Sequence, residues 1–213
     1  TLARIDGFAK RQVLDALRHI GADQYQTVIE GLRLYADALG ADRTGAHGER
    51  LAVEIEAGYH PGAIARCVDM HARYYARTAN FGRPFEAQVA AGLAEFSARL
   101  DKPCNQLWLA VQLDRIVGTI AIDGEDLGEA RAHLRWFIVD DGMRGGGVGR
   151  RLLSEAVAFC ERRHFAECHL WTFRGLDAAR RLYEAHGFSL VEERPGRQWG
   201  EEVMEQRFVR PLA

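Results

Sequence analysis

The strongest chemical signal in this chain is the hexapeptide Arg144-Gly-Gly-Gly-Val-Gly149. An apolar run, Leu134–Val139, precedes it and reads as a strand, and Asp140–Gly142 reads as a turn. After it, Val148, Leu152, Leu153, Ala156, Val157 and Cys160 recur at helical spacing. A strand, a glycine-rich turn and a helix in that order leave backbone N–H groups converging at the positive end of a helix dipole, where a phosphate or pyrophosphate fits. Glycine reaches the dihedrals such a turn needs and keeps Cβ atoms out of the anion's path. Two nucleotide motifs are disfavoured by the neighbouring residues. A Walker-type loop needs Gly-Lys-Ser/Thr, whereas Gly149 is followed by Arg150 and Arg151. A dinucleotide fingerprint starting at Gly147 meets Leu152 at its third position, and its acidic residue would be Glu167, which precedes the next strand instead of ending it. A nicotinamide-dependent enzyme is therefore the weaker reading.

The elements that would hold this turn follow from periodicity. Phe8, Val13, Leu14, Leu17 and Ile20 mark one helix; Asp23 with Gln26 starts a second, carrying Tyr25, Val28, Ile29, Leu32, Tyr35, Ala36 and Leu39 on one face and ending at Gly40. Two helices this short need another surface to pack on. Residues 41–50 are polar and glycine-rich, as in a linker. Leu51–Glu56 alternates as a strand. Pro61 opens a helix through Tyr75, and Pro84 another carrying Phe85, Val89, Leu93, Phe96 and Leu100. Gln106–Leu113 and Arg115–Ile122 read as a hairpin turning near Asp114, and Arg131–Val139 as the strand entering the glycine turn. Beyond the loop helix come a strand at Glu167–Thr172, a helix at Leu176–His186 stopped by Gly187, and an antiparallel pair at Phe188–Glu192 and Val203–Val209. This order is not the alternation of a doubly wound sheet.

Three features in sequence order carry a resemblance: the R-x-x-G-x-G/A pattern at Arg144–Gly149, the element order over about residues 48–213, and Ala179-Arg-Arg-Leu-Tyr183-Glu-Ala-His-Gly187-Phe188, which is similar to a helix ending A-x-x-x-Y-x-x-x-G-F. Together they resemble the GNAT (Gcn5-related) N-acetyltransferase superfamily. That implies an α/β (α+β) fold with a mixed, mostly antiparallel central sheet flanked by helices, preceded by an N-terminal helical pair. The phrases Leu134-Arg-Trp-Phe-Ile-Val, Leu170-Trp-Thr, Arg181-Leu-Tyr-Glu and Gln198-Trp-Gly further resemble bacterial MarR–GNAT fusion proteins. On that resemblance residues 1–45 match MarR dimerisation helices and 46–213 the acetyltransferase domain. The winged helix is missing, so no nucleic-acid binding is carried over.

The resemblance implies an enzyme that transfers acetyl from acetyl-CoA to a primary amine of a small or amino-acid-like acceptor, by direct attack in a ternary complex. Gly145, Gly146, Gly147, Val148, Gly149 and Arg150 would meet the pyrophosphate, with Arg144 and Arg150 as charge partners. The backbone of Phe137, Ile138 and Val139 would bond the pantetheine arm as an added strand does, with one N–H facing the thioester oxygen. Tyr183 aligns with the family's proton donor to the departing thiolate; a phenol near pKa 10 holds its proton at neutral pH. The base is open between a water relay and His133, whose side chain shares a face with Arg135 and Phe137 by the two-residue period. His71, Tyr75 and Trp199 are candidates for the acceptor pocket, with core packing the alternative. Arg194 and Arg197 sit on a nearby turn and read as solvated or as attracting an acidic acceptor. Leu176 replaces the asparagine many members carry seven residues before the tyrosine, so coenzyme contact there would be apolar. A coenzyme-sensing or dimerisation module of a MarR-type regulator is the alternative function.

Composition fits these readings. The 213 residues are 47% hydrophobic and 27% charged, with net charge −2, so bulk attraction to nucleic acid or anionic membrane is not implied. Cys67, Cys104, Cys160 and Cys168 have no C-x-x-C spacing and read as reduced thiols of a cytoplasmic protein. No metal is expected: Cys168 and His169 are strand neighbours and face opposite ways. A homodimer is expected from the apolar face at Tyr25–Leu39.

Overall fold

A computed structural model describes Val28, Gly31, Leu32, Tyr35, residues 52–128 and residues 130–212. The chain divides into two compact units, Thr1–Ala52 and Val53–Ala213. In the first, the four residues named are helical, with Leu32 and Tyr35 exposed and Val28 half-buried. The rest of the expected helical pair and the polar stretch at 41–50 lie outside the described residues.

The second unit runs β1 (Glu54–Ala57), α1 (Ala63–Ala79), α2 (Arg83–Ser97), β2 (Gln106–Gln112), β3 (Arg115–Asp123), β4 (Arg131–Val139), a 3-10 turn (Asp141–Met143), α3 (Val148–Arg162), β5 (Glu167–Phe173), α4 (Asp177–Ala185), β6 (Ser189–Gly196) and β7 (Val203–Pro211). The order is the expected one. The seven strands form one sheet in the order β1-β2-β3-β4-β5-β7-β6, antiparallel except between β4 and β5. Leu100, expected in α2, lies beyond its end; Arg99 N–H bonds the Phe96 carbonyl at 3.0 Å in a tighter closing turn. No described helix is long and apolar enough to cross a membrane.

Helices cover both faces of the sheet. On one, α1 presents Ala63, Cys67, Met70 and His71, and α2 presents Phe85, Val89, Leu93 and Phe96, at the three- and four-residue spacing of a helix stripe. They meet Leu107, Leu109, Ala121 and Trp136. On the other, Val148, Leu152, Leu153, Ala156 and Cys160 of α3 meet Trp108, Ala110, Ile120, Ile122 and Leu134. Leu107 and Leu109 thus face α1 and α2 while Trp108 and Ala110 face α3, which is why β2 reads as a continuous apolar run. Leu152 and Leu153 are wholly buried, each contributing roughly 1.5–3 kcal/mol by removal from water.

Two features of β4 open the sheet. First, β4 and β5 pair only where Arg131–His133 face Glu167–His169. Beyond this, β4 continues to Val139 and β5 to Phe173 with no pairing between them. Second, β4 bulges. Ala121 pairs with Arg135 and Thr119 with Ile138, so Trp136 and Phe137 together oppose Ile120. Trp136 adopts φ 48°, a left-handed conformation costing roughly 1–2 kcal/mol for a residue with a Cβ. It is held there by several contacts. The Thr119 hydroxyl donates to its carbonyl at 2.8 Å, Phe96 packs 5.1 Å from its ring, and the Arg135 guanidinium lies 4.2 Å over it.

The extra residue shifts the phase of the strand. Arg135 and Trp136 both lie toward α2, where a Cβ on Gly92 would meet each at 3.2 Å. Phe137 instead joins the α3 face, its Cζ 3.4 Å from where a Gly149 Cβ would stand. The expectation that Phe137 shares a face with His133 and Arg135 is therefore corrected: strict alternation fails at a bulge.

Candidate active site

Two cavities flank the opening between β4 and β5. The first, about 500 Å³, is bounded by the end of β4, the glycine turn, the start of α3 and α4. Gly145 and Gly147 have φ 82° and 79°, and a Cβ at either would meet nothing within 4 Å. These glycines are needed for their backbone conformation, and the space beside them is open. The first backbone bond of α3 runs from Arg151 N–H to the Gly147 carbonyl at 3.1 Å. The N–H groups of Val148, Gly149 and Arg150 therefore stand ahead of the helical ladder, and the capping position is Gly147, with no side-chain cap. Together with the dipole of α3 they make a site for an anion. Arg150 lines the cavity and, among the described residues, makes no ion pair. Arg144 is more committed: its Nε donates to the Val139 carbonyl at 3.2 Å, and its guanidinium lies 3.8 Å over the Tyr74 ring.

Of the expected coenzyme contacts, Phe137, Ile138, Val139, Arg144, Gly145, Gly147, Gly149, Arg150 and Leu176 line this cavity. Gly146 and Val148 do not; the Val148 side chain is buried in the core, so only its backbone remains to contribute. Leu176 stands at the N-cap of α4 without a side-chain cap bond.

The second cavity, about 330 Å³, lies on the other side of the opening, beneath α1 and α2. His71, Tyr75 and Trp199, expected at the acceptor pocket, line it together with His133, the candidate base. The cavities meet at Tyr75, Phe137 and Tyr183, which line both. Tyr183 is buried, with its ring about 6 Å from those of Phe137, Phe188 and Phe208 (6.1, 6.1 and 5.9 Å). Burial, and then the neighbouring Tyr75 phenol, push its pKa well above the ordinary tyrosine value, and no hydrogen bond from a described residue acts on its hydroxyl. It keeps its proton and has that proton available to a ligand.

His133 Nδ1 lies 2.5 Å from Asp126 Oδ2, and its ring meets Trp171 edge-on at 4.7 Å. Burial lowers its pKa below the usual histidine value, with Asp126 pulling in the opposite direction. A carboxylate only accepts, so the neutral ring carries its proton on Nδ1 and its lone pair on Nε2. His71 has the same tautomer for a different reason. Its Nδ1–H donates to the Cys67 carbonyl at 2.8 Å, and burial lowers its pKa to about 4.

Two residues that the sequence did not mark for the site belong here. Asp126 comes from the β3–β4 turn and reaches His133 through folding alone. Arg135, noted only as a face-mate of His133, lines the second cavity. Arg194 and Arg197 do not line it; they pair with Glu192 at 3.4 Å and Glu202 at 2.9 Å.

Comparison with known proteins matches this architecture. The model of the acetyltransferase (GNAT) family matches residues 67–188. Among curated proteins, N-acetylaspartate synthetase of Danio rerio is 28% identical over 125 residues, covering 58% of this chain and 44% of that protein. The Xenopus tropicalis N-acetylaspartate synthetase is 30% identical over 92 residues, 43% of this chain and 34% of that one. The chain thus spans less than half the length of either relative. Among solved structures, a GNAT-family acetyltransferase from Staphylococcus aureus Mu50 has a TM-score of 0.59 at 20% identity, covering 76% of this chain and 100% of that one. A ribosomal-protein-alanine N-acetyltransferase from Brucella melitensis reaches 0.61 at 15% identity over 75% and 99% of the two chains. A Salmonella typhimurium protein assigned as an acetyltransferase, solved with its cofactor acetyl-CoA, gives 0.59 at 17% over 75% and 94%. The structural likenesses are of fold. The family match extends from α1 to the glycine–phenylalanine pair after α4, over more than half of the sequence, and takes in the opened sheet, the glycine turn and Tyr183: this chain belongs to the acetyltransferase (GNAT) family.

Proposed function

We propose that this protein transfers the acetyl group of acetyl-CoA to the primary amine of a small, amino-acid-like acceptor, by direct attack in a ternary complex. The observation that carries the reading is the meeting of two cavities at Tyr183: one has an anion cradle at its rim, the other has titratable groups in its lining. The first-turn amides of α3 and Arg150 suit a pyrophosphate. The unpaired edge of β4 at Phe137–Val139 suits an extended pantetheine arm. The two relatives named N-acetylaspartate synthetases support an amino-acid-like acceptor.

In this reading the acceptor nitrogen attacks the thioester carbon, the carbon–sulfur bond breaks and the thiolate leaves. A backbone N–H of the β4 edge faces the developing oxyanion. The Tyr183 hydroxyl donates to the departing sulfur. Burial disfavours phenolate, so its main effect is a hydrogen bond that stabilises the thiolate, which takes its proton from solvent. His133 Nε2, directly or through a water, accepts the amine proton, and Asp126 holds the ring in that tautomer.

The reading is tested by measuring acetyl-CoA binding, then released thiol in the presence of amine pools. Saturable binding with acceptor-dependent thiol release is expected. Binding without release for any acceptor would favour a coenzyme-sensing module instead, and tight NADH binding in place of acetyl-CoA would overturn both. The Asp126–His133 pair has its own signature in pH. His133 must be neutral to accept a proton, so kcat/KM rises with pH through its pKa and then levels. Asp126 raises that pKa; Asp126→Asn removes the effect and should move the acid limb to lower pH. The plateau should fall about 10-fold as the fixed tautomer is lost. An acid limb unmoved by Asp126→Asn would remove His133 as the base and leave a water relay.

A further inference from the structure

The lining of the acceptor cavity is electrically one-sided. Among the described residues that line it, Arg135 is the one formally charged side chain, and no Asp or Glu is present. Its two histidines are held toward the neutral form by burial. Such a space disfavours an unpaired ammonium and favours an anion.

Arg135 is built to receive one. Its guanidinium packs over the Trp136 ring at 4.2 Å, which restrains the side chain. Its ion pairs within the protein are long, Nη1 lying 3.5 Å from Asp123, at the outer limit of a hydrogen bond, and 3.6 Å from Asp126. Both carboxylates are better engaged elsewhere: Asp123 takes Arg99 Nη1 and Nη2 at 2.8 and 2.7 Å, and Asp126 takes His133 at 2.5 Å. A guanidinium has five N–H donors in a planar fork that matches a carboxylate. The fold also gives up helix stability beside it. Gly92 lies inside α2, where glycine costs roughly 0.5–1 kcal/mol relative to alanine, and a Cβ there would stand 3.2 Å from both Arg135 Nη2 and Trp136 Cζ2.

Another wall of the cavity is aromatic. Phe81, Phe85, Phe173 and Trp199 line it and pack on one another, with ring centroids 5.1 Å apart for Phe81–Phe85 and 5.6 Å for Phe173–Trp199. An apolar void of about 150 Å³ holds a benzene. The volume here, about 330 Å³, leaves space for such a ring and an amino-acid head group.

We propose that the acceptor is an α-amino acid with an aromatic or similarly bulky apolar side chain. Its carboxylate sits on Arg135, its side chain on the aromatic wall, and its amine faces the junction at Tyr183. This rests on the acetyltransferase reading above and narrows it. Aspartate, the acid in the relatives' name, would bring a second carboxylate to a wall of rings and should be a poor acceptor.

The test is steady-state kinetics of the full chain with acetyl-CoA and three acceptors: L-phenylalanine, phenethylamine (the same ring without the carboxylate) and L-aspartate. Phenylalanine should exceed phenethylamine by about 30-fold in kcat/KM, the loss expected from one charge-assisted bidentate contact, and should exceed aspartate by a similar factor because a carboxylate against the aromatic wall has no partner. Arg135→Gln should collapse the phenylalanine-to-phenethylamine ratio to near unity, chiefly through the KM for phenylalanine, and Arg135→Lys should restore part of it. Phenethylamine or aspartate matching phenylalanine in the wild type would overturn the proposal, as would an Arg135→Gln ratio equal to the wild-type ratio. If Arg135→Gln fails to fold, the wild-type comparison decides alone. Acetyl-CoA binding with no acetylation of any of the three overturns the acceptor class and leaves the coenzyme reading standing; absence of acetyl-CoA binding overturns both.

Discussion

Tyr183→Phe is expected to lower kcat about 100-fold, within the range for loss of a positioned proton donor, while acetyl-CoA affinity stays within about threefold. Under the proposed mechanism affinity is spared, because coenzyme recognition would rest on the glycine turn and the β4 backbone while the phenol would meet only the sulfur. The variant should also fold. No hydrogen bond from a described residue acts on the Tyr183 hydroxyl, so its removal strands no buried partner, and the ring contacts to Phe137, Phe188 and Phe208 persist. The stability change should stay below about 1 kcal/mol. Stopped-flow thiol release with saturating coenzyme and acceptor, alongside calorimetric binding, separates the outcomes. A turnover equal to wild type would strip Tyr183 of its role. Loss of coenzyme binding and rate in proportion would make it a structural residue. The phenol is held well above its ordinary pKa, so its own ionisation should not appear in the pH profile in the neutral range.

The second large effect is expected at the glycine turn. Gly147→Val should raise the Kd for acetyl-CoA about 100-fold, as two charge-assisted hydrogen bonds at roughly 1.5 kcal/mol each are lost. The cause is conformational. Gly147 holds φ 79° as the N-cap of α3, a region closed to a β-branched residue, yet an added Cβ would touch nothing within 4 Å. The chain must therefore leave the left-handed conformation and turn the first amides of α3 away from their common focus. The folding cost, roughly 1–2 kcal/mol, is small enough for the variant to remain folded, and thermal unfolding checks that. Wild-type affinity in a folded Gly147→Val protein would show that the pyrophosphate binds elsewhere.

Much of the fold was legible because each element carries its own period. The stripe Val148, Leu152, Leu153, Ala156 announces α3, and the apolar runs of β2 and β3 either side of Leu113–Asp114 announce two strands joined by a short turn. The glycine turn was legible because strand, glycines and helix occur in contiguous sequence. The bulge was not. Trp136 takes a left-handed conformation in a stretch without glycine or asparagine, and since Trp136–Val139 is an unbroken apolar run, a one-residue shift leaves no mark in the pattern. That hidden shift displaced Phe137 from the face predicted for it and brought Arg135 and Trp136 to the same side. Asp126 was hidden for another reason: its contact with His133 depends on how the β3–β4 turn folds back, which spacing alone does not encode. The second cavity as a whole draws on α1, α2, β4, β5, α4 and the β6–β7 turn, so tertiary assembly, not any local motif, defines it.

The chain has four tryptophans, and their distribution has a spectroscopic consequence. Trp136, Trp171 and Trp199 border the second cavity, while Trp108 is enclosed on the opposite face of the sheet beneath α3. Intrinsic fluorescence is thus weighted toward one compartment. Displacement of solvent from that compartment alters the surroundings of three indoles and leaves the fourth as a constant background. The protein can report occupancy of that cavity through its own emission, without a dye.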